Sequence, residues 1–427
     1  MPPTNPSSEP RTEEHRPPRA EPGARTTPAL LVAFPSPVGL PIPPLGEAVG
    51  RAWLAKHSIA DSEVSGAHLA FSRSGPRLLV EDRGSRNGVW LDGERLDRTE
   101  QVPLEDGAVL RIGRTVMVFR AAVTSLEPAK PLGQLVGPWG LGAVRKVIGS
   151  LKARQARNVL IEGPTGTGKE LIAGVVRVAL RGKDAPYTPI NVAGVSSGVF
   201  EAQLFGWKKG AYSGSAEGGL GVIGASDKGS VFLDEIGELP LDLQPKLLRL
   251  LENREILPVG ASRPMNVDVS IIGATNRPLA AMVKEGRFRL DLLNRFDANI
   301  EAPALRDRAE DIHAIACARV ETRKAKLDPA QIEVEAIERL MLHDWPSNIR
   351  ELDALLSRRE APSALTHADV RAVLGDASSG ARQPPTAAVI DRVLDEEGQN
   401  QSAAARRLGI SRPALRRLMA KRTQKRP

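Results

Sequence analysis

The stretch RNVLIEGPTGTGKE, residues 157–170, constrains this chain more than any other. A short apolar run leads into a glycine-rich turn, and a helix-favouring segment follows. Backbone N–H groups of such a loop, with those of the helix start, converge on anionic oxygen. Gly163, Pro164, Thr165, Gly166, Thr167 and Gly168 therefore read as a phosphate cradle, with Lys169 reaching the outer phosphates. Where this motif usually carries Ser or Thr after the lysine, the chain has Glu170, so the usual hydroxyl ligand for Mg²⁺ is missing.

Downstream segments fit the same site. GSVFLDE, residues 229–235, is a β-rich apolar run ending in two carboxylates. A strand that delivers Asp234 and Glu235 to its C-terminal end places them where parallel sheets bind ligands. Asp234 is the candidate holder of Mg²⁺ and Glu235 the candidate activator of an attacking water. SIIGATN, residues 270–276, is a further strand, and its Asn276 is placed to sense the last phosphate or to orient water. In GRFRLDLLNRF, residues 286–296, the apolar spacing at 288, 292, 293 and 296 predicts a helix bearing Arg287, Arg289 and Arg295. WPSNIREL, residues 345–352, predicts a helix start that aims Arg350 outward.

At 427 residues the chain needs more than one core. A hydrophobic content of 41% with 26% charged residues suits soluble globular domains. One cysteine, Cys317, excludes a disulfide framework and reads as a small buried hydrophobe in a reducing compartment. Residues 1–28 are polar, proline-rich and expected to be disordered, with no signal-peptide core. The run 28–45 is apolar but holds six prolines, which rules out a membrane helix and leaves short strands with turns. The chain is therefore expected in the cytoplasm, with no membrane partner. Short apolar runs such as LLVAF, RLLV, GVWL and TVMVF predict a β-sandwich over 29–122. After a linker at 123–133, strands alternate with helical segments over 134–308, which predicts an α/β parallel sheet. A helical lid is expected at 309–374, a second linker at 375–386 and a small all-α unit at 387–427.

Between the two nucleotide motifs lies LFGWKKGAYSGSAEGG, a glycine-rich stretch with the single tyrosine Tyr212. It lacks the terminal Gly-Lys of a phosphate loop, and it lacks metal-ligand spacing.

Residues from about 134 to 360 resemble the AAA+ domain of bacterial enhancer-binding proteins, the activators of sigma-54 RNA polymerase. GPTGTGKE resembles that family's phosphate loop, in which Glu after the Lys is normal. FLDEIGELP resembles its Walker B strand, and ATNRPL its first sensor. The resemblance places arginine fingers at Arg289 and Arg295 and the second sensor at Arg350. It also makes Asn191, in INVAGV, the holder of the catalytic Glu235. GAYSGS resembles the family's GAFTGA loop, so Gly210, Ala211, Tyr212, Ser213, Gly214 and Ser215 become the sigma-54 contact. Tyr212, Ser213 and Ser215 stand where that loop has Phe, Thr and Ala, and Trp207 and Lys208 replace His-Glu. Glycines let such a loop rise and fold, and one aromatic gives contact area at low entropy cost.

The sandwich resembles a forkhead-associated (FHA) domain through VGR (49–51), SGAH (65–68) and DRGSRNG (82–88). Arg51 and Ser65 would bind a phosphothreonine phosphate, Arg86 would add charge, and Asn87 would hold the peptide backbone. His68 reads as a buttress of the Ser65 loop. Gly66 and Val89 depart from the Arg and Thr usual there. From Gly398 onward the tail has nine Lys or Arg and no Asp or Glu. Two helical segments there meet at Gly409–Ile410, resembling a helix-turn-helix of the factor-for-inversion-stimulation (Fis) type. Ser411, Arg412, Arg416 and Arg417 are its candidate DNA contacts.

Together these resemblances imply a transcription activator. Its ring, of six copies, hydrolyses ATP with Mg²⁺ at subunit interfaces and remodels sigma-54 polymerase. The tail binds upstream promoter DNA, and the front reads a phosphothreonine protein or peptide. Thr26 and Thr27 offer a ligand within the chain itself. Two alternatives are an AAA+ remodeller of another DNA-bound partner and a phosphopeptide-binding DNA adaptor with an inactive ATPase.

Overall fold

The structure, a computed structural model, describes residues 26–98, 100–193, 197–211, 217–322, 326–358, 364–374, 387–398, 401–408, 415, 416, 418 and 419. Of the sequence-predicted site residues, Tyr212, Ser213, Gly214, Ser215, Ser411, Arg412 and Arg417 lie outside this set.

The front domain is a sandwich of two antiparallel sheets. One has six strands in the order Val38–Pro41, Thr27–Phe34, Thr115–Val123, Val109–Ile112, Val89–Leu91, Glu94–Arg95. The other has four: Ala48–Val49, Leu69–Ser74, Arg77–Asp82, Val102–Pro103. The first strand begins at Thr27, paired with Val123, so Thr27 and Pro28 depart from the disorder expected over 1–28; residues 1–25 of that expectation lie outside the described residues. Thr27 would have to leave the sheet to serve as a ligand.

The six-stranded sheet is covered on both faces. Leu30, Val32, Met117 and Phe119 point into the sandwich core. Ala33, Val116 and Val118, which alternate with these, and Phe34, which follows a register shift after Val32, join a different core, built by Leu305, Ile312, Ile315, Ile337 and Leu340 of the lid. Sandwich and lid thus share one continuous apolar core. Phe34 is 1% exposed and meets the His313 ring edge-on, with centroids 5.1 Å apart. One buried and one half-buried ion pair join the two domains here. Arg111 Nε lies 2.9 Å from Glu338 Oε2, and Arg120 Nη2 lies 2.7 Å from Glu310 Oε2. Arg114 Nη2 donates to the carbonyls of Pro329 and Ile332.

The central domain is a five-stranded parallel sheet, ordered Tyr187–Asn191, Ser230–Asp234, Ser270–Thr275, Asn158–Glu162, Ala298–Glu301. Its inner strands are apolar on both faces, as sheets with helices on each side require. Helices Gly142–Ser150 and Lys169–Arg181 pack on one core, and Gln244–Asn253 and Leu279–Lys284 on the other. The lid opens with the turn Leu305–Asp311, four residues before the boundary expected from sequence. It continues through helices Ile312–Glu321, Val334–Leu342, Ile349–Ser357 and His367–Leu374. Among the described tail residues, helices Ala387–Glu396 and Gln401–Leu408 close a small core with Leu415.

Candidate nucleotide site and its lid

The strand Asn158–Glu162 runs straight into the phosphate loop, and the helix Lys169–Arg181 starts from it. Gly166 and Gly168 have φ of +77° and +93°. At Gly166 a Cβ would sit 2.2 Å from the Ser347 carbonyl oxygen, so only glycine lets the loop lie under the lid. Lys169 is 8% exposed. Its ammonium donates to the carbonyls of Gly163 (2.9 Å) and Pro164 (3.2 Å), and Thr167 Oγ1 donates to Pro164 O (2.9 Å). Burial lowers the Lys169 pKa, against the opposing pull of Glu235 and Asp234. An incoming polyphosphate would offer this ammonium a direct anionic partner in place of the two loop carbonyls.

Asp234 ends its strand as predicted, and Glu235 follows in a left-handed conformation at φ 54°. Asp234 Oδ1 accepts the Glu235 N–H at 3.1 Å. Glu235 Oε2 lies 3.4 Å from the Asn276 N–H, and Asn276 Nδ2 donates to Thr165 Oγ1 at 2.8 Å. Two neighbouring parallel strands thereby connect Glu235 to the phosphate loop through Asn276. Arg350 is on the lid helix Ile349–Ser357, close enough to lower the Lys169 pKa, with its Cβ against Gly166. Asn191 ends the edge strand, in register with Asp234, and its Oδ1 accepts the Ala193 N–H at 2.8 Å.

The arginines of 286–296 depart from the expected helix. Only Leu290–Leu293 is helical, Arg289 precedes it and Arg295 follows it. Phe288 and Leu292 are buried, and this packing produces the helix-like spacing without a long helix. Arg289 forms a two-pronged pair with Asp291 (3.0 and 2.7 Å), and Arg295 pairs with Glu252 (2.6 Å). Both are exposed, and their side-chain hydrogen bonds run to Asp291 and Glu252 rather than to Lys169, Asp234 or Glu235.

One residue of the site was not anticipated. Asn348, 3% exposed, has φ 53°; its Nδ2 donates to Thr165 O, and its Oδ1 accepts the Leu305 N–H, both at 2.8 Å. Ile349 N–H also donates to Gly166 O at 2.9 Å. The lid is therefore hydrogen-bonded directly to the phosphate loop. The only hint in the sequence was an Asn in a Pro-Ser-Asn turn.

The glycine-rich stretch emerges from a closed neck. Trp207 and Gly219 exchange both backbone hydrogen bonds at 2.9 Å, and Lys208 N–H donates to Val259 O at 2.9 Å. Gly210 and Ala211 lie just beyond this neck, with Ala211 N–H donating to Lys208 O.

In the sandwich, Arg51, Ser65, Arg86 and Asn87 converge on one end. Arg51 donates to the carbonyls of Val64 (3.1 Å) and Ser62 (2.9 Å). Ser65 Oγ accepts the Arg86 N–H at 3.2 Å, and Asn87 Nδ2 donates to Glu63 O at 2.7 Å. His68 is fully buried; its Nδ1 accepts the Ser65 N–H, so Nε2 carries the proton donated to Gly88 O. It ties the Ser65 loop to the loop bearing Asn87. Of the tail's candidate DNA contacts, Arg416 is described, and it is 8% exposed.

A phosphate loop feeding a five-stranded parallel sheet, two carboxylates on the adjoining strand and a helical lid bonded to the loop define the AAA+ class. The comparisons agree. Residues 141–301 match the Sigma-54 interaction domain and 306–372 the AAA+ ATPase lid domain. Residues 48–113 match the FHA domain, and 387–421 the Fis family of bacterial regulatory proteins. The chain is 34% identical to the response regulator protein FleR of Pseudomonas aeruginosa over 353 residues, covering 70% of this chain and 74% of FleR. It is 40% identical to the putative uric acid sigma-54-dependent transcriptional regulator UacR of Escherichia coli over 250 residues, 56% of this chain but 42% of UacR. It spans under half of the regulatory protein LuxO of Vibrio cholerae as well, at 38%. A crystal structure of NtrX from Brucella abortus in complex with ATP superposes with a TM-score of 0.51 at 28% identity, covering 67% of this chain and 69% of that one. The chain belongs to the sigma-54-dependent transcriptional regulators, with an FHA domain at its front and a Fis-type unit in its tail.

Proposed function

We propose that this protein hydrolyses ATP within a homo-oligomeric ring, a hexamer, and uses the cycle to remodel sigma-54 RNA polymerase at promoters. The observation that carries this is the gathering of Lys169, Asp234, Glu235, Asn276 and Arg350 around one phosphate loop. Lys169 binds the outer phosphates. Asp234 is the residue that would hold Mg²⁺, which neutralises phosphoryl charge when bound. Its carboxylate sits at the sheet end beside Lys169, and Glu170 offers no hydroxyl to assist it. Glu235 orients and deprotonates water, with Asn276 linking its position to the phosphate loop and Asn191 restraining it between turnovers. Arg289 and Arg295, exposed and held by Asp291 and Glu252, serve the site of an adjacent subunit. The stretch Gly210–Ser215 presents Tyr212 to sigma-54 from the Trp207–Gly219 neck. The Fis-type unit holds upstream promoter DNA through Ser411, Arg412, Arg416 and Arg417. The end of the sandwich bearing Arg51, Ser65, Arg86 and Asn87 takes a phosphothreonine and conditions the ring. The cytoplasm is its place on this account; among the described residues no helix is long and apolar enough to cross a membrane.

Steady-state ATP turnover by the full chain, beside Glu235→Gln, tests the catalytic core. The variant should bind ATP normally and lose at least about 100-fold in turnover, the usual worth of a positioned base. Unchanged turnover in Glu235→Gln would remove Glu235 from the chemistry. An inert wild type would favour the phosphopeptide-binding adaptor.

A further inference from the structure

The tail does not stand apart from the rest of the molecule. Leu415, Leu418 and Met419 face the tail's own core, against Ile390, Val393, Leu394, Ala404 and Ala405. Arg416, one residue on from Leu415, leaves that face and enters a cleft between sandwich and lid. Its guanidinium lies 3.9 Å from Asp92 Oδ1, with side-chain exposures of 8% and 5%. It also presses on Gly107, where a Cβ would come within 3.3 Å of Arg416 Nη2. The cleft has a volume of about 270 Å³ and carries Asp92, Asp106, Asp307 and Asp344 against two arginines of its own, Arg120 and Arg306. The tail brings nine basic residues and no acidic ones after Gly398. Burial and charge match an acidic seat to a basic guest.

We infer that this cleft is an internal docking surface for the DNA-reading part of the tail, and that docking and DNA binding exclude each other. A guanidinium buried on Asp92 cannot reach a phosphate or a base edge at the same time. The free energy that seats Arg416 in the cleft is therefore withheld from DNA. Because the cleft is formed jointly by sandwich and lid, any rearrangement between them changes how much of the tail is available. This rests on the Fis-type unit binding DNA, as proposed above.

Asp92→Asn is the sharpest probe. Asn tolerates the left-handed backbone at position 92 (φ 51°) and keeps an acceptor for the Val109 N–H, while removing the charge. Binding of the full chain to a mixed-sequence 40-base-pair duplex should tighten by about threefold or more, because apparent affinity scales with the open fraction. Asp344→Lys, at the half-exposed rim, provides a second variant should position 92 prove structurally sensitive. Asp184→Asn, exposed on the central domain, controls for the change in net charge and should gain less. Hydrogen exchange adds a readout that charge alone does not move: saturating duplex should deprotect the backbone around Gly107 in the wild type. Equal affinities for wild type, Asp92→Asn and Asp344→Lys, with no change in exchange near Gly107, would overturn the inference. Failure of all the proteins to bind duplex would instead defeat the assignment of DNA binding to the tail, and the inference with it.

Discussion

Replacing Arg111 with alanine probes the junction of sandwich and lid at its most costly point. Arg111 is 6% exposed, with its guanidinium 4.3 Å over the Trp90 ring and its Nε 2.9 Å from Glu338 Oε2. Glu338 belongs to the lid and is 5% exposed. Burial pushes its pKa up, and Arg111 pulls it back. Without Arg111 the carboxylate is left buried beside Glu335 and Asp92. Removing one partner of a buried pair typically costs about 3–5 kcal/mol. Glu338 can escape part of that cost by taking up a proton, so the loss should be larger at pH 8 than at pH 5. Urea denaturation followed at both pH values measures this directly. Because sandwich and lid share one apolar core, both should unfold together and shift together. Glu338→Met in the Arg111→Ala background should recover much of the loss, since it removes the stranded charge. A shift below about 1 kcal/mol, a size typical of exposed pairs, or a shift confined to the sandwich, would refute the idea that the two form one folding unit.

Two further outcomes follow from the same geometry. His313 is buried, its Nδ1–H donates to Ala33 O, and its Nε2 accepts from the Cys317 thiol. Burial lowers its pKa to about 4, below the ordinary 6.5. The unfolded chain therefore binds the extra proton first, and stability should fall by up to about 3 kcal/mol as pH drops from 6.5 toward 4. A His313→Gln variant should flatten that part of the pH–stability curve, which thermal melts across the range will reveal. Asn348→Ala removes both the Thr165 and the Leu305 bonds while leaving Lys169 and Glu235 in place. Lid and phosphate loop should uncouple, with turnover down about tenfold or more from mispositioning; isothermal titration with a non-hydrolysable nucleotide and turnover assays separate binding from chemistry.

The parts of the site that lie within single strand-to-loop segments were readable in the sequence. Lys169 and Asp234 follow apolar runs that can only be buried strands, and their chemistry sits at the strand ends. What escaped the sequence was long-range. Asn348 gains its role from a lid that folds back over residues 183 positions earlier. The expected helix over 286–296 failed because Phe288 and Leu292 are buried from a turn and a single helical turn, which mimics helical spacing. The junction of sandwich and lid had left a trace. LLVAF is apolar at every position and TVMVF at every position after its threonine, whereas a sandwich strand with one wet face alternates. The lid covers that second face. Arg416 stood out in the sequence only as a candidate DNA contact, and no local pattern could show that Asp92 lies opposite it.

The central claim is that the glycine-rich stretch engages sigma-54 during the ATP cycle. Mixing the purified protein with sigma-54, ADP and aluminium fluoride, then running a native gel, tests it most directly, because the fluoride mimics the transferring phosphoryl group. The account predicts a stable complex that disappears in Tyr212→Ala while ATP turnover persists. Turnover without any trapped complex would contradict it and assign the stretch to a different DNA-bound partner.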